Sequence, residues 1–189
     1  MKALEEKILQ EGEVVDGDIL KVDGFVNHQV DALLMEEIGK DMAEHFKGQG
    51  ITKVFTIESS GIAPALFTAK ELGVPLVILK KQQTADSLKT EVWQTEVVSY
   101  TKDTSYRLTL AKNYISDEDH VLIVDDFLAN GEAATGAIRL IRKAHATVAG
   151  LGVLIEKAFQ PGREKLESQG IHVYAQASIK AFENGKVVF

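Results

Sequence analysis

The segment from Val121 to Gly136, VLIVDDFLANGEAATG, holds the residues whose types and spacing are best suited to chemistry. Two adjacent acids, Asp125 and Asp126, follow an apolar strand, and a short turn that ends at Gly131 leads into a helix. The start of a helix binds anions, because it presents unpaired backbone N–H groups and a partial positive charge. The paired acids can accept hydrogen bonds from a diol or position a hydrated cation. This segment therefore predicts an anion site beside a pair of carboxylates.

Charged residues follow four predicted apolar strands: Glu58, the pair Lys80 and Lys81, the pair Asp125 and Asp126, and the pair Glu156 and Lys157. In open α/β sheets the carboxyl ends of the strands share one edge, and ligands bind in the crevice there. A single cluster of this kind needs no function beyond ending a strand. Four clusters with both signs of charge favour a site for a polar, multiply charged ligand.

The turn Ser59-Ser60-Gly61 comes directly after Glu58 and opens another predicted helix. Helix capping alone explains its two serines. The same turn also offers backbone N–H groups and hydroxyls that could cradle a second oxyanion. Both roles are compatible with the sequence.

The elements that must position these residues alternate along the chain. Short apolar runs predict strands at 54–57, 76–79, 121–124, 151–155 and 171–177. Helical spacing of apolar residues, or a polar helical composition, predicts helices at 2–11, 31–47, 62–69, 134–141 and 164–168. Strands separated by helices in this way predict an α/β fold, with a mostly parallel sheet covered by helices on both faces.

Residues 82–116 interrupt this alternation, because they are rich in Thr and Ser and show no helical face. Apolar residues alternate on both sides of a polar turn at 102–104: Val98, Tyr100, Tyr106, Leu108 and Leu110. This pattern predicts an antiparallel hairpin. An insertion of this kind in a parallel α/β domain is typical of a mobile lid.

Composition excludes several classes of protein. The 189 residues are 45% hydrophobic and 26% charged, which is ordinary for one globular domain with a buried core. The net charge of −7 argues against general nucleic-acid binding. The chain has no cysteine, and its five histidines show no ligand spacing, so no metal site is predicted from them. The longest uncharged stretch, 144–155, is shorter than the roughly 20 residues that cross a bilayer, which predicts a cytoplasmic protein that binds no membrane.

Four segments carry a resemblance to a known family: GDILKVDGFVNHQVD at 17–31, IESSGIAPA at 57–65, VDDFLANGEAATG at 124–136 and VLIEKAFQPGR at 153–163. On these motifs, and over nearly its whole length, the chain resembles the type I purine phosphoribosyltransferases, in particular their xanthine-specific branch. Asn130 departs from the threonine usual in the family's loop, and Phe127 from the usual aliphatic residue. Both departures are typical of that branch.

The resemblance implies a fold, a reaction and partners. The fold is that of the type I phosphoribosyltransferases, in one domain of residues 1–189, with an N-terminal hood of mainly 1–30 plus the C-terminal segment and a flexible loop at about 82–116. The reaction transfers the 5-phosphoribosyl group of phosphoribosyl diphosphate (PRPP) to xanthine, giving XMP and pyrophosphate in purine salvage. Magnesium is expected to bind mainly through PRPP, and the enzyme is expected to be a homodimer.

The resemblance also implies roles for individual residues. Asp125 and Asp126 are expected at the reacting centre, where they hold the ribose hydroxyls. Three further sets are implied: Ala129, Asn130, Gly131, Glu132 and Ala133 for the 5′-phosphate of PRPP, Ser59, Ser60, Gly61, Lys80 and Lys81 for the pyrophosphate side, and Leu20, Asn27, Phe127 and Lys157 for xanthine. No residue is expected to hold the metal directly.

Two residues of the loop carry more specific expectations. In hypoxanthine-guanine relatives a third acid stands where this chain has Ala129, so no side-chain general base is expected in the loop. That absence suits xanthine, which is the most acidic of the oxopurines. Glu132 is expected to point its side chain away from the phosphate while its N–H donates.

Two alternatives to a xanthine phosphoribosyltransferase stay open: a hypoxanthine or guanine phosphoribosyltransferase, and a regulator that senses PRPP without turnover.

Overall fold

A computed structural model describes residues 1–82, 91–99 and 104–189, and the predicted alternation of strands and helices is confirmed there. The strands are β1 (Glu13–Val15), β2 (Ile19–Lys21), β3 (Lys53–Ile57), β4 (Leu76–Gln82), β5 (Val92–Ser99), β6 (Thr104–Ala111), β7 (His120–Leu128), β8 (Thr147–Lys157), β9 (Val173–Ile179), β10 (Ala181–Glu183) and β11 (Lys186–Val188). The helices are α1 (Lys2–Glu11), α2 (Ala32–His45), α3 (Ile62–Leu72), α4 (Glu132–Lys143) and α5 (Gly162–Glu167), with a π-helical turn at Asp23–Asn27 and a 3₁₀ turn at Lys112–Tyr114.

Seven strands form the central sheet, in the order β5-β6-β4-β3-β7-β8-β9. The strands from β4 to β9 in this order are parallel to their neighbours, whereas β6 is antiparallel to β4 and to β5. The predicted mostly parallel sheet is therefore confirmed. Parallel strands place their carboxyl ends at one edge, so the topology alone brings together the residues at the carboxyl ends of β3, β4 and β7.

Helices cover both faces of this sheet. Successive side chains of β7 point to opposite faces, so its apolar residues pack on helices of both layers. Val121 and Ile123 pack in the same buried cluster as Ala137 and Ile138 of α4. On the other face, Leu122 and Val124 pack with Met42 of α2 and with Ala65 and Ala69 of α3. Of the apolar residues that predict α3, Ala65 and Ala69 cover the sheet, whereas Leu66 is 54% exposed.

The predicted hairpin is confirmed for the described residues, with β5 and β6 paired from Val92 and Ala111 to Ser99 and Thr104. Tyr100 and residues 102 and 103 of the predicted turn lie outside the described residues, and Thr104 is the first residue of β6. The hairpin extends the sheet and packs on α4, where a Cβ at Gly136 would lie 2.5 Å from Val97. Whether any part of 82–116 moves as a lid stays a prediction.

Segments from both ends of the chain pack together on one end of β8 and β9. The apolar cluster there joins Leu4 of α1, Leu20 of β2 and Phe25 with Leu154 and Ile155 of β8. The strands β10 and β11 form a separate two-stranded sheet, and their Phe182 and Val187 pack against the same cluster. This layer corresponds to the expected hood, whose role in ligand binding stays a prediction.

No helix in the described ranges is both long enough and apolar enough to cross a lipid bilayer.

Candidate active site

A pocket of about 540 Å³ opens at the carboxyl ends of β3 and β7, beside the start of α4. Its lining combines acidic, basic, hydroxyl and aromatic side chains: Ile57, Glu58, Ser59, Ser60, Lys81, Asp125, Asp126, Phe127 and Ala133. The structure thus brings together residues from three of the four charged clusters that the sequence places after strands. It does not bring Glu156 and Lys157 into this lining.

The two acids of the pocket lie within β7, which continues to Leu128, and not after its end as the apolar run 121–124 predicts. Asp125 is paired with Val153 in the parallel ladder, so the strand is extended where the acids stand. The backbone N–H of Asp126 donates to Oδ1 of Asp125 at 3.0 Å. The neighbouring strand therefore fixes the backbone that carries both carboxylates.

Gly61 allows the start of α3 to approach these acids closely. A Cβ at this position would lie 2.8 Å from Oδ1 of Asp125 and would also strike Oγ1 of Thr56. Thr56 is fully buried, and its hydroxyl has no hydrogen-bond partner among the described residues. Any larger residue at position 61 would push the Ser59-Ser60 turn away from Asp125.

The pKa of Asp125 is raised well above its usual range, first by burial and then by the neighbouring charge of Asp126. Lys81 opposes this shift. Two carboxylates held side by side repel each other, and a ligand that donates hydroxyl hydrogens or supplies a cation would relieve the repulsion. The pocket is therefore arranged to gain from binding such a ligand.

Glu58 contacts two basic residues near the end of β4, Lys80 and Lys81, which lie within that strand and not after it as the apolar run 76–79 predicts. Its Oε1 accepts from the backbone N–H of Lys81 at 2.5 Å, and its Oε2 pairs with Nζ of Lys80 at 3.4 Å. Lys81 lines the pocket, whereas the side chain of Lys80 is 53% exposed and does not. The peptide bond between Glu58 and Ser59 is cis.

Tyr106 of β6 is a neighbour of the site that sequence reasoning treated only as a hairpin residue. Nζ of Lys81 lies 5.2 Å from the centre of its ring. The pKa of Tyr106 is raised by burial and then by Asp125 and Glu132. Its place follows from the β4–β6 register, which sets Lys81 opposite Leu108 and so diagonal to Tyr106. No local feature of the sequence indicates the register between β4 and β6, so the position of Tyr106 could not be predicted.

The loop before α4 is held by backbone contacts to the start of α5. Gly131 has a φ of +78°, and a Cβ there would lie 3.2 Å from Cα of Gly162. The N–H of Gly162 donates to the carbonyl of Ala129 at 3.0 Å. The side chain of Glu132 pairs with Lys165 of α5, and its orientation relative to a bound phosphate stays a prediction. Asn130 and Ala133 complete the loop, and Ala133 lines the pocket.

The resemblance implies that this loop holds the 5′-phosphate of PRPP, and on that basis we expect Gly131→Ala to weaken PRPP binding about tenfold. We also expect it to cost about 1–2 kcal/mol of folding stability, because alanine is strained at positive φ. The added Cβ would also press on Gly162 and displace the loop. Isothermal calorimetry with PRPP and a thermal melt would measure the two effects. Gly170→Ala is the matched control, since Gly170 has a φ of +79° with nothing near its Cβ. That variant should lose stability and keep PRPP affinity, and equal affinity losses in both variants would contradict the prediction.

The residues expected at xanthine are only partly brought to the pocket. Phe127 lines it and packs on the N-terminal cluster that contains Leu20. Leu20 is buried in that cluster, and Asn27 is exposed at the end of the π-helical turn. Lys157 donates from Nζ to the carbonyl of Asp18 at 2.7 Å and lies 5.7 Å from the ring centre of Phe182. Burial lowers the pKa of Lys157.

Glu156 corrects the expectation of four charged clusters on one rim. Its side chain is buried, and it accepts hydrogen bonds from Arg163 at 2.6 and 2.8 Å and from Ser178 at 3.0 Å. These three hydrogen bonds turn the carboxylate of Glu156 toward α5 and β9, whereas Nζ of Lys157 reaches the carbonyl of Asp18. Glu156 therefore fastens α5 to β8 and β9 and does not contribute to the ligand site.

Within the described ranges, no three His, Asp or Glu side chains cluster as ligands for a metal ion. His45 and His172 instead contact each other, with their Nε2 atoms 2.8 Å apart, and His45 stacks on Tyr174.

Comparison with known proteins gives the class to which this fold and site belong. Residues 27–182 match the phosphoribosyl transferase domain family. The fold is also that of solved adenine phosphoribosyltransferases. The enzyme of Giardia lamblia superposes with a TM-score of 0.77 over 93% of this chain and 97% of its own, at 22% identity. That of Rhodothermus marinus gives 0.76 over 95% and 100%, at 24% identity. The chain belongs to the phosphoribosyltransferase family, as the sequence motifs predict.

Relatives of much higher identity match the chain over its full length. The xanthine phosphoribosyltransferase of Agathobacter rectalis is 57% identical over 100% of this chain and 98% of its own. The xanthine phosphoribosyltransferase of Bacillus cereus is 50% identical over 100% of this chain and 95% of its own. The resemblance to the xanthine-specific branch is thus confirmed.

Proposed function

We propose that the chain transfers the 5-phosphoribosyl group of PRPP to xanthine, giving XMP and pyrophosphate in purine salvage. The observation that carries this proposal is the pocket in which Asp125 and Asp126 meet the start of α4 on one side and Ser59, Ser60 and Lys81 on the other. These groups suit a ligand with a phosphate, a diol and a diphosphate. The full-length relatives named xanthine phosphoribosyltransferase support the choice of base.

The chemistry at carbon 1 of the ribose passes through a state with positive charge shared by the carbon and the ring oxygen. Catalysis then depends on positioning and electrostatics more than on proton transfer. Asp125 and Asp126 accept hydrogen bonds from the ribose hydroxyls and hold negative charge near the developing cation. The β7 ladder keeps their backbone fixed, so little reorganisation accompanies the reaction.

The two phosphate-bearing ends of PRPP bind on opposite sides of these acids. Backbone N–H groups of 129–133 hold the 5′-phosphate at the start of α4, where the helix dipole favours an anion. Ser59, Ser60 and Gly61 meet the pyrophosphate with hydroxyls and backbone N–H groups. Lys81 supplies a positive charge there. Lys80 lies outside the pocket and pairs with Glu58, the residue whose carboxylate also accepts the backbone N–H of Lys81.

Magnesium is compatible with the groups that the pocket offers. Mg²⁺ would be held mainly by phosphate oxygens of PRPP and by water, and the carboxylates of Asp125 and Asp126 could accept hydrogen bonds from that water. The raised pKa of Asp125 means that a nearby cation would stabilise its charged form. When bound with PRPP, the metal would neutralise charge on the leaving pyrophosphate.

Xanthine binds on the side of Phe127, with Lys157, Leu20 and Asn27 contributed by β8 and the N-terminal layer. Lys157 meets a purine carbonyl and compensates a partly anionic base. To reach the base it exchanges its hydrogen bond to Asp18 for one to xanthine. Ala129 leaves the loop without a carboxylate base, which suits a purine that reacts readily as its anion.

A homodimer and a cytoplasmic location complete the proposal. Leu33 of α2 and Leu66 of α3 support the dimer, because these large apolar side chains are 76% and 54% exposed on helices that pack together. A second copy of the chain would cover them.

The test is release of pyrophosphate by the purified protein with PRPP and Mg²⁺, with xanthine present and with no base. Release that requires xanthine, together with formation of XMP, supports the proposal. Measurable binding of PRPP without turnover of xanthine, guanine or hypoxanthine would instead identify a PRPP sensor.

A further inference from the structure

We propose that Lys165 is a positioning residue for PRPP binding: by pairing with Glu132 it holds that carboxylate away from the bound 5′-phosphate. The inference rests on the proposed function, which assigns the loop 129–133 to the phosphate. Lys165 lies on α5, outside every motif that the sequence singles out for PRPP.

Glu132 poses an electrostatic problem for an anion site. It is the first residue of α4, between Gly131 and Ala133, so its backbone belongs to the loop that meets the phosphate. Its side chain is only 20% exposed, so water screens the carboxylate less than at an open surface. Two charges roughly 10 Å apart at an effective dielectric constant of about 20 change a binding constant on the order of tenfold.

Lys165 of α5 offsets the charge of this carboxylate. Its Nζ makes a short ion pair with Oε1 of Glu132, and its side chain is 36% exposed. The two residues are separated by 33 positions, so the contact depends on the fold and not on helical spacing. The ion pair offsets the charge of the carboxylate and holds it toward α5. The backbone N–H of Glu132 can then donate to the phosphate without its own carboxylate nearby.

The backbone of α5 makes this pairing specific to the loop. The N–H of Gly162 donates to the carbonyl of Ala129, and Gly131 packs against Gly162. Arg163 clamps the same helix to the buried Glu156 of β8. Lys165 is therefore presented to Glu132 from an element that already contacts Ala129 and Gly131 of the loop. An exposed ion pair between two flexible side chains contributes little to stability, whereas this pair is held by backbone contacts between α5 and the loop.

The experiment measures the dissociation constant of PRPP with Mg²⁺ by calorimetry for the unaltered chain and for three variants. We expect K165A to weaken PRPP binding on the order of tenfold, because the carboxylate of Glu132 is then unpaired beside the phosphate. The conservative K165R should bind PRPP within about twofold of the unaltered chain. The double variant E132Q/K165A removes the unpaired charge and should recover most of the lost affinity.

The matched control is K53A, which breaks a partly buried ion pair with Asp119 near the opposite end of the sheet. It should lower the melting temperature and leave PRPP affinity unchanged. Thermal melts of all variants separate loss of folding from loss of binding.

Unchanged PRPP affinity in K165A would overturn the inference. A double variant as weak as K165A would overturn it too, because the pair would then act only by holding α5 in place. If the unaltered chain fails to bind PRPP, the proposed function fails and the inference falls with it, and this first arm distinguishes the two failures.

Discussion

Replacement of Asp125 by asparagine is expected to lower kcat/KM for PRPP about 100- to 1000-fold and, in the same protein, to raise Tm. Activity falls because the neutral amide carries no charge toward the developing cation at carbon 1. Stability rises because burial and the adjacent Asp126 make the charge of Asp125 unfavourable in the folded state. The amide oxygen can still accept the N–H of Asp126, so the local fold is retained.

The pH dependence follows from the sign of this shift. A carboxyl with a folded-state pKa above its unfolded value favours folding at pH below the unfolded pKa, and this contribution is lost as the pH rises through the folded pKa. At neutral pH Asp125 therefore lowers stability, and the advantage of D125N should shrink as the pH falls through the raised pKa. Activity of the unaltered enzyme should fall in the same direction as Asp125 becomes protonated.

Asp119→Asn is the matched control for D125N. Burial raises the pKa of Asp119, but hydrogen bonds from Lys53, the N–H of Ser116 and Thr52 outweigh it and lower the pKa overall. A lowered pKa stabilises the fold above the unfolded value, so D119N should lower Tm at neutral pH and keep activity. Steady-state kinetics and melts of both variants test the pair. Equal activity in D125N and the unaltered enzyme would contradict the proposed role of Asp125.

Replacement of Lys157 by alanine is expected to raise KM for xanthine about 100-fold while PRPP affinity stays within about twofold. A half-buried ammonium that meets the carbonyl of a partly anionic base provides a charge-assisted hydrogen bond, and removing it leaves that carbonyl unpaired. PRPP affinity should persist because Lys157 is not among the residues that line the pocket proposed for PRPP.

The control for this variant is Lys180→Ala. Lys180 follows Ile179, the residue paired with Lys157 in the β8–β9 ladder, and its Nζ donates to the carbonyl of Phe189. It shares the neighbourhood of Lys157 without a proposed ligand contact. KM values for xanthine and calorimetry with PRPP separate the two effects. Loss of xanthine use and of PRPP binding to the same degree in K157A would remove Lys157 from the purine site.

Much of the fold was predictable because it is encoded locally. The spacing of apolar residues in α4 identifies its buried face, since Ala134, Ala137, Ile138 and Ile141 are all buried. The parallel strands contain continuous apolar runs because both faces of the sheet are covered, and these runs identify them in the sequence. The pairing of acids with a helix start was also visible, because strand, acids, turn and helix are contiguous.

What the sequence could not provide depends on contacts between distant residues. In the sequence, Glu156 follows an apolar run and is predicted to face the ligand. Only the structure shows that its carboxylate pairs with Arg163 of α5. The ion pair of Lys165 with Glu132 spans 33 positions, and the hydrogen bond of Lys157 to Asp18 spans 139. The raised pKa of Asp125 likewise depends first on its burial, which only the folded chain provides.

The measurement that tests the central claim most directly is a competition among bases. The purified protein is given PRPP, Mg²⁺ and equal concentrations of xanthine, guanine and hypoxanthine, and the nucleotides formed are separated and quantified. The account predicts XMP as the main product, with its share reduced in K157A. GMP or IMP formed at rates equal to or above that of XMP would contradict the claim of xanthine as the substrate.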